Sequence, residues 1–185
     1  MREAVIVSYA RTPIGRAFRG AFNRTLSPSM TGHAIAHAVS RSGVDPTSVE
    51  DVIVGCVLTA GTAGLNLARQ ALLAGGLPVG VPGQTIDRQC SSGLMAIAMA
   101  AHQVVQENMN VVVAAGHDSL SLVQTDYLAA VRASMDPSVT ARAEHAYMPM
   151  LLTAEHVARH YKISRDRQDA FSLVSQQRTA AAQAA

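Results

Sequence analysis

The chain has 185 residues, 49% hydrophobic and 15% charged, with a net charge of +2. That is enough for one sizeable core, too little charge for a nucleic-acid footprint, and no apolar run nears the ~20 residues of a membrane span. Two cysteines without paired spacing argue against a disulfide framework, and the lone lysine, Lys162, disfavours both a Walker-type phosphate loop and a Schiff-base mechanism.

From the amino end, Ala4 to Ala10 reads as a strand that starts almost at once, which predicts a chain without a signal peptide and points to the cytosol. Pro28 to Ser42 reads as a helix introduced by Ser27 and closed by Gly43. Val49 to Thr59 is expected as a strand, with Val52-Ile53-Val54 continuous enough to be covered on both faces. Asn66 to Ala74 is a short helix stopped by Gly75-Gly76 and Pro78. Gln84 to Gln89 is a strand, Ser91 to Glu107 a buried helix, and Val111 to Ala115 a further buried strand. Strands and helices in turn give an α/β layered domain, in which ligands gather at the carboxyl ends of the strands.

Cys90 stands at such an end. It falls in Thr85-Ile86-Asp87-Arg88-Gln89-Cys90-Ser91-Ser92-Gly93-Leu94, between a strand and an apolar helical run. A helix N-terminus carries unpaired N–H groups and about half a positive charge, which favours thiolate over thiol and can hold an oxyanion. Ser91 and Ser92 suit a helix start, and Gly93 lets another backbone come close. Local sequence therefore favours a nucleophile over a buried structural cysteine. Cys56, inside a strand after Val54-Gly55, reads as a core thiol.

Past Gly116 the character changes, with no glycine from His117 to Ala185. Leu122 to Met150 lacks a clear period and reads as an excursion from the sheet, a partial cover over the site. Thr153 to Tyr161 is helical with Thr153 as its cap, and Ser164 caps a last helix that runs to Ala185 without a closing Gly or Pro. That open end carries the expectation of truncation. His33/His37 and His156/His160 have the i, i+4 spacing of metal ligands, but neither has a third ligand at sensible spacing, so polar helix faces explain both and no metal is expected. Gly61 to Gly64 reads as a loop. His117-Asp118 reads equally as a group reaching the site or as a polar strand end.

Several segments resemble the thiolase family of acetyl-CoA acetyltransferases and 3-ketoacyl-CoA thiolases. They are Val5-Ile6-Val7-Ser8-Tyr9-Ala10-Arg11-Thr12-Pro13-Ile14-Gly15, Gly61 with Asn66-Leu67-Ala68-Arg69-Gln70, Cys90-Ser91-Ser92-Gly93, and Gly116-His117-Asp118-Ser119-Leu120-Ser121. Thr153 to Ala158, Ile163-Ser164-Arg165, Gln168-Asp169 and Ser175-Gln176-Gln177 resemble helices of the family's loop domain. The resemblance covers nearly the whole chain and only the N-terminal half of such a subunit. It implies a thiolase-like layered α/β fold with a mixed, mainly parallel sheet and helices on both faces. An N-terminal domain would span residues 1–121, with part of a helical loop domain over 122–185 and the C-terminal half absent.

The resemblance also implies chemistry. Cys90 would be the nucleophile and carry the acyl thioester, with its own N–H as one arm of an oxyanion hole. Met150 would line the acyl pocket, and Pro149-Met150 follows the degradative branch. Acyl-CoA and coenzyme A would be substrates, no bound cofactor is implied, and a homodimer or homotetramer would pair near Thr85 to Gln89. The family's activating histidine, second cysteine, water-positioning asparagine and remaining oxyanion glycine have no counterpart in this sequence, so the chain alone is expected to be inactive. Within the matched half, Ala115, His117, Asp118 and Leu151 stand where the family has Gly, Met, Glu and Gly. A non-catalytic module that binds acyl-CoA or a partner remains open, as does a ketosynthase-type enzyme, against which the Asn66-to-Gln70 match argues.

Overall fold

The computed structural model describes residues 2–185; Met1, at the head of the expected opening strand, lies outside them. The chain divides into two compact units, the first ending at Ala133 and the second spanning Ser134–Ala185. In the first unit, chain order runs α1 (Ser27–Ser42), β1 (Asp51–Gly55), α2 (Leu67–Ala74), β2 (Gly83–Ile86), α3 (Ser92–Gln106), β3 (Val112–Gly116) and α4 (Thr125–Ala133). In the second it runs α5 (Pro137–Arg142), α6 (Met150–His160) and α7 (Arg165–Ala184).

The first unit is the expected layered α/β domain. Its strands lie in the order β2-β1-β3, each pair parallel, with Val54 opposite Thr85 on one side and Ala115 on the other. The antiparallel member of a mixed sheet does not occur among the described strands. The chain steps from β1 to β2 in one direction and from β2 past β1 to β3 in the other. Right-handed crossovers in opposite directions place their helices on opposite faces. Alternation along β1 serves both layers. Val52 and Val54 pack with Ile35, Val39, Leu67, Ala71 and Leu72 from α1 and α2, while Ile53 packs with Ala96 and Ala100 of α3. Burial of each such aliphatic side chain contributes about 2 kcal/mol.

Local signals set most boundaries. Gly43 closes α1 at φ 71°, a left-handed conformation that glycine adopts without strain. Asn66 caps α2 by accepting the Arg69 N–H at 3.3 Å. At the amino end of β1, buried Asp51 accepts from Gln84 Nε2 at 3.0 Å and Gln103 Nε2 at 2.6 Å, tying β1 to β2 and α3.

Four expectations need correction. Residues 4–10 form no strand: they have no ladder partner among the described residues, and Val5, Ile6 and Val7 are 70–78% exposed. A strand needs a neighbouring strand as well as a β-prone sequence. The helix after Cys90 is not buried all round, because the small Ala96 and Ala100 meet the sheet while Leu94 is 71% exposed. The first unit runs past residue 121, since Val123 is buried in its core and Tyr127 packs beside it. Pro149, not Thr153, sits at the head of α6, and the Thr153 hydroxyl donates back to the Pro149 carbonyl at 3.2 Å. The cap at Ser164 is present, accepting the Arg167 N–H at 3.4 Å.

Candidate active site

The carboxyl ends of the three parallel strands form one edge of the sheet, and Cys90 follows the end of β2 directly. The Asp87 carboxylate accepts the Gln89 N–H at 2.7 Å, and Gln89 takes a left-handed φ of 48° that reverses the chain. Ser91 and Ser92 donate their N–H groups to the Arg88 and Gln89 carbonyls at 3.2 and 2.9 Å, closing the turn. Cys90 is exposed at its outer corner, just before the first residues of α3. The backbone donors used in the turn are Arg88, Gln89, Ser91 and Ser92; the Cys90 N–H is not one of them. Cys90 thus brings a thiol and an N–H without a partner among the described residues to the position just ahead of the helix cap Ser91, an arrangement suited to attack on a carbonyl and to holding the resulting oxyanion.

The neighbouring strand ends are tied together beneath this turn. Cys56 N–H donates to the Ile86 carbonyl and His117 N–H to the Gly55 carbonyl, each at 2.9 Å. A Cβ on Gly55 would lie 2.3 Å from the Ser92 carbonyl carbon and 2.6 Å from the Gly93 nitrogen. The close approach expected at Gly93 is therefore made by Gly55, whose place at the end of a buried strand was the available signal. At Gly93 itself, an added Cβ would meet nothing nearer than the Gly116 Cα at 3.9 Å.

Asp118 holds the segment that follows β1. One carboxylate oxygen accepts the Leu58 N–H at 2.9 Å, the Val57 N–H at 3.2 Å and the Cys56 thiol at 3.7 Å. Of the two readings of His117-Asp118, this geometry gives Asp118 the structural one. Burial, and then the Asp118 charge, push the Cys56 thiol up to about 12, so Cys56 stays protonated and inert at neutral pH. Burial lowers the His117 imidazole, against an opposing pull from Asp118, and its buried Nε2 has no hydrogen-bond partner among the described residues.

Asn66 to Gln70 serve the scaffold. Asn66 donates to the Gly83 carbonyl at 2.8 Å and accepts the Thr85 hydroxyl at 3.0 Å, Arg69 donates to the Val79 and Val81 carbonyls, and Gln70 donates to Gly64. Of these, Asn66 borders an open cleft of about 530 Å³ along β2, lined also by Thr59, Leu65, Thr85 and Asp87 among others. Met150 opens α6 in the second unit and is 78% exposed. His156 lies with its ring centroid 5.7 Å from His145 and 6.3 Å from His160, and the His33 and His37 rings are 4.4 Å apart. No group of three or more His, Cys, Asp or Glu among the described residues has the geometry to hold a metal ion.

The family model described as thiolase, N-terminal domain, matches residues 4–185. An acetyl-CoA acetyltransferase of Chromobacterium violaceum is 40% identical, over 99% of this chain and 48% of its own length. A 3-ketoacyl-CoA thiolase of Bacillus subtilis is 37% identical over 98% of this chain and 46% of its own, and the mouse peroxisomal 3-ketoacyl-CoA thiolase B is 36% identical over 98% and 42%. The chain spans about half the length of the curated relatives it matches.

Proposed function

The chain belongs to the thiolase family, and on that premise we propose that it carries the nucleophile of an acyl transfer between 3-ketoacyl-CoA and coenzyme A. The single observation behind this reading is Cys90 itself: an exposed thiol at the mouth of α3 with its own N–H outside the turn's hydrogen bonds.

In the proposed reaction the Cys90 sulfur attacks the 3-keto carbon, and the electron pair of the carbonyl moves onto oxygen, toward the Cys90 N–H. The bond between C2 and C3 then breaks. Its electron pair leaves with C2 and takes up a proton to give acetyl-CoA, while the shortened acyl group stays on Cys90 as a thioester. The thiolate of a second coenzyme A attacks that thioester, releases acyl-CoA and returns the Cys90 sulfur. A thiolate serves both halves because it is a strong nucleophile and a good leaving group. The reverse sequence is a Claisen condensation of two acyl-CoA molecules.

The proton donor and acceptor for these steps belong, in this proposal, to sequence matching the other half of the relatives' length. Met150 lines the acyl pocket. A second copy of the chain pairs near the outer edge of β2, which among the described residues has a strand neighbour on one side only. The compartment is the cytoplasm, in keeping with two unpaired cysteines.

Iodoacetamide labelling at neutral pH, mapped by mass spectrometry, tests the nucleophile. Cys90 is expected to react faster than free cysteine while Cys56 stays unlabelled. Reaction of Cys90 at or below the rate of free cysteine overturns the reading.

A further inference from the structure

Ser92 is the first residue of α3, and only 3% of it is exposed. Its Oγ accepts the Arg88 N–H at 2.8 Å and donates to the Gln89 carbonyl at 2.6 Å. Its own N–H donates to that same carbonyl at 2.9 Å. One residue thus grips the chain on the amino side of Cys90 from a position on its carboxyl side. The grip takes the Arg88 N–H and the Gln89 carbonyl and does not engage the Cys90 N–H. Ser92 is itself seated firmly, because its carbonyl group lies where a Cβ on Gly55 would be.

Ser91 is the control that the sequence provides. It is exposed, and its hydroxyl donates at 2.8 Å to the Arg88 carbonyl, which already accepts the Ser91 N–H. Loss of that hydroxyl leaves no donor without a partner. Loss of the Ser92 hydroxyl strips the Arg88 N–H of its acceptor and removes one of the two hydrogen bonds on the carbonyl of Gln89, a residue held at positive φ.

Resting on the acyl-transfer reading, we propose that Ser92 is the positioning residue of the nucleophile, its hydroxyl shaping the 88–92 turn so that the Cys90 thiol and N–H face outward together. Ser92 touches no reacting atom; it acts through the backbone on either side of Cys90. Displacement of a reacting group by about 1 Å costs on the order of a hundredfold in rate, and relaxation of this turn is a displacement of that kind.

The test is carried out on the 185-residue chain with iodoacetamide as probe. Ser92→Ala is expected to slow labelling of Cys90 by about tenfold or more, and Ser91→Ala by less than about twofold. Ser92→Thr, which keeps the hydroxyl, is expected to recover most of the rate. Equal rates for Ser92→Ala and Ser91→Ala overturn the proposal, as does a Ser92→Thr variant as slow as Ser92→Ala. Amide exchange in the unsubstituted chain gives a second readout that survives a misfolded variant: the Arg88 N–H is expected to be protected and the Cys90 N–H to exchange freely. Protection of Cys90, or free exchange at Arg88, sinks the positioning role. Unsubstituted Cys90 that labels no faster than free cysteine counts instead against the acyl-transfer reading, so the two failures are distinct.

Discussion

The two units of this chain differ in what holds them. The first has a core in which Ile35, Ile53, Leu67 and Leu72 are at most 2% exposed. The second, Ser134–Ala185, has no buried residue among those described; Leu151 is 83% exposed, Phe171 78% and Leu173 59%. Its three helices rest on local devices: the Asp136 carboxylate accepting the Ser138 N–H, the Ser164 cap, and an Arg165–Asp169 pair one turn apart at 2.9 Å. Such devices at an exposed surface are screened by solvent and individually weak, against about 2 kcal/mol for each buried aliphatic side chain of the first unit. Cys90 stands in the unit with the core, and Met150 in the unit without one.

The largest expected effect concerns activity. An oxyanion hole with one arm and no added general base is expected to lower thiolysis of acetoacetyl-CoA by about ten-thousandfold or more relative to a complete thiolase. The chain alone should show no CoA-dependent cleavage above background, and robust turnover abolished by Cys90→Ala would refute this. Next come the two units themselves. Ile53→Ala is expected to cost about 3 kcal/mol of stability in urea denaturation, whereas Leu151→Ala should change it by less than about 0.5 kcal/mol. Equal costs would erase the contrast between a packed unit and an unpacked one.

The boundary between what was legible and what was not follows the range of the interaction. Gly43 as a helix stop, Ser164 as a cap, and Cys90 at a strand-to-helix turn were all readable, because each depends on residues within a few positions. Residues 4–10 have the composition of a strand, yet strand formation depends on a partner that composition does not name. The burial of α3 was overestimated because Ala96 and Ala100, which pack against Ile53, count as apolar alike with Leu94 and Ile97, which stay exposed. At the candidate site Cys90 was visible and its support was not. Gly55 and Ser92 lie far apart in sequence and matter because their backbones touch.

That contact gives a prediction of intermediate size. Gly55→Ala places a methyl group into the Ser92–Gly93 backbone, and is expected to cost about 1–3 kcal/mol and to slow the labelling of Cys90. Gly93→Ala, whose methyl group would make only an ordinary contact with the Gly116 Cα, should be neutral or raise stability by up to about 1 kcal/mol. Thermal melts of the two variants decide the matter, and a more damaging Gly93→Ala would show that the close approach lies elsewhere.

The smallest effect is electrostatic. Burial holds the His117 imidazole below its ordinary value of 6.5, so the unfolded chain takes up a proton there before the folded one does. Folding stability from this group is therefore complete above the unfolded value and is lost as pH falls through 6.5 and toward the lower folded value. Asp118 alongside pulls the other way, which keeps the effect modest. Between about pH 7.5 and about pH 5.5 the melting temperature should fall further in the unsubstituted chain than in His117→Gln, which cannot titrate in that range. Parallel declines in the two proteins would assign the loss to other groups and leave His117 a spectator at the strand end.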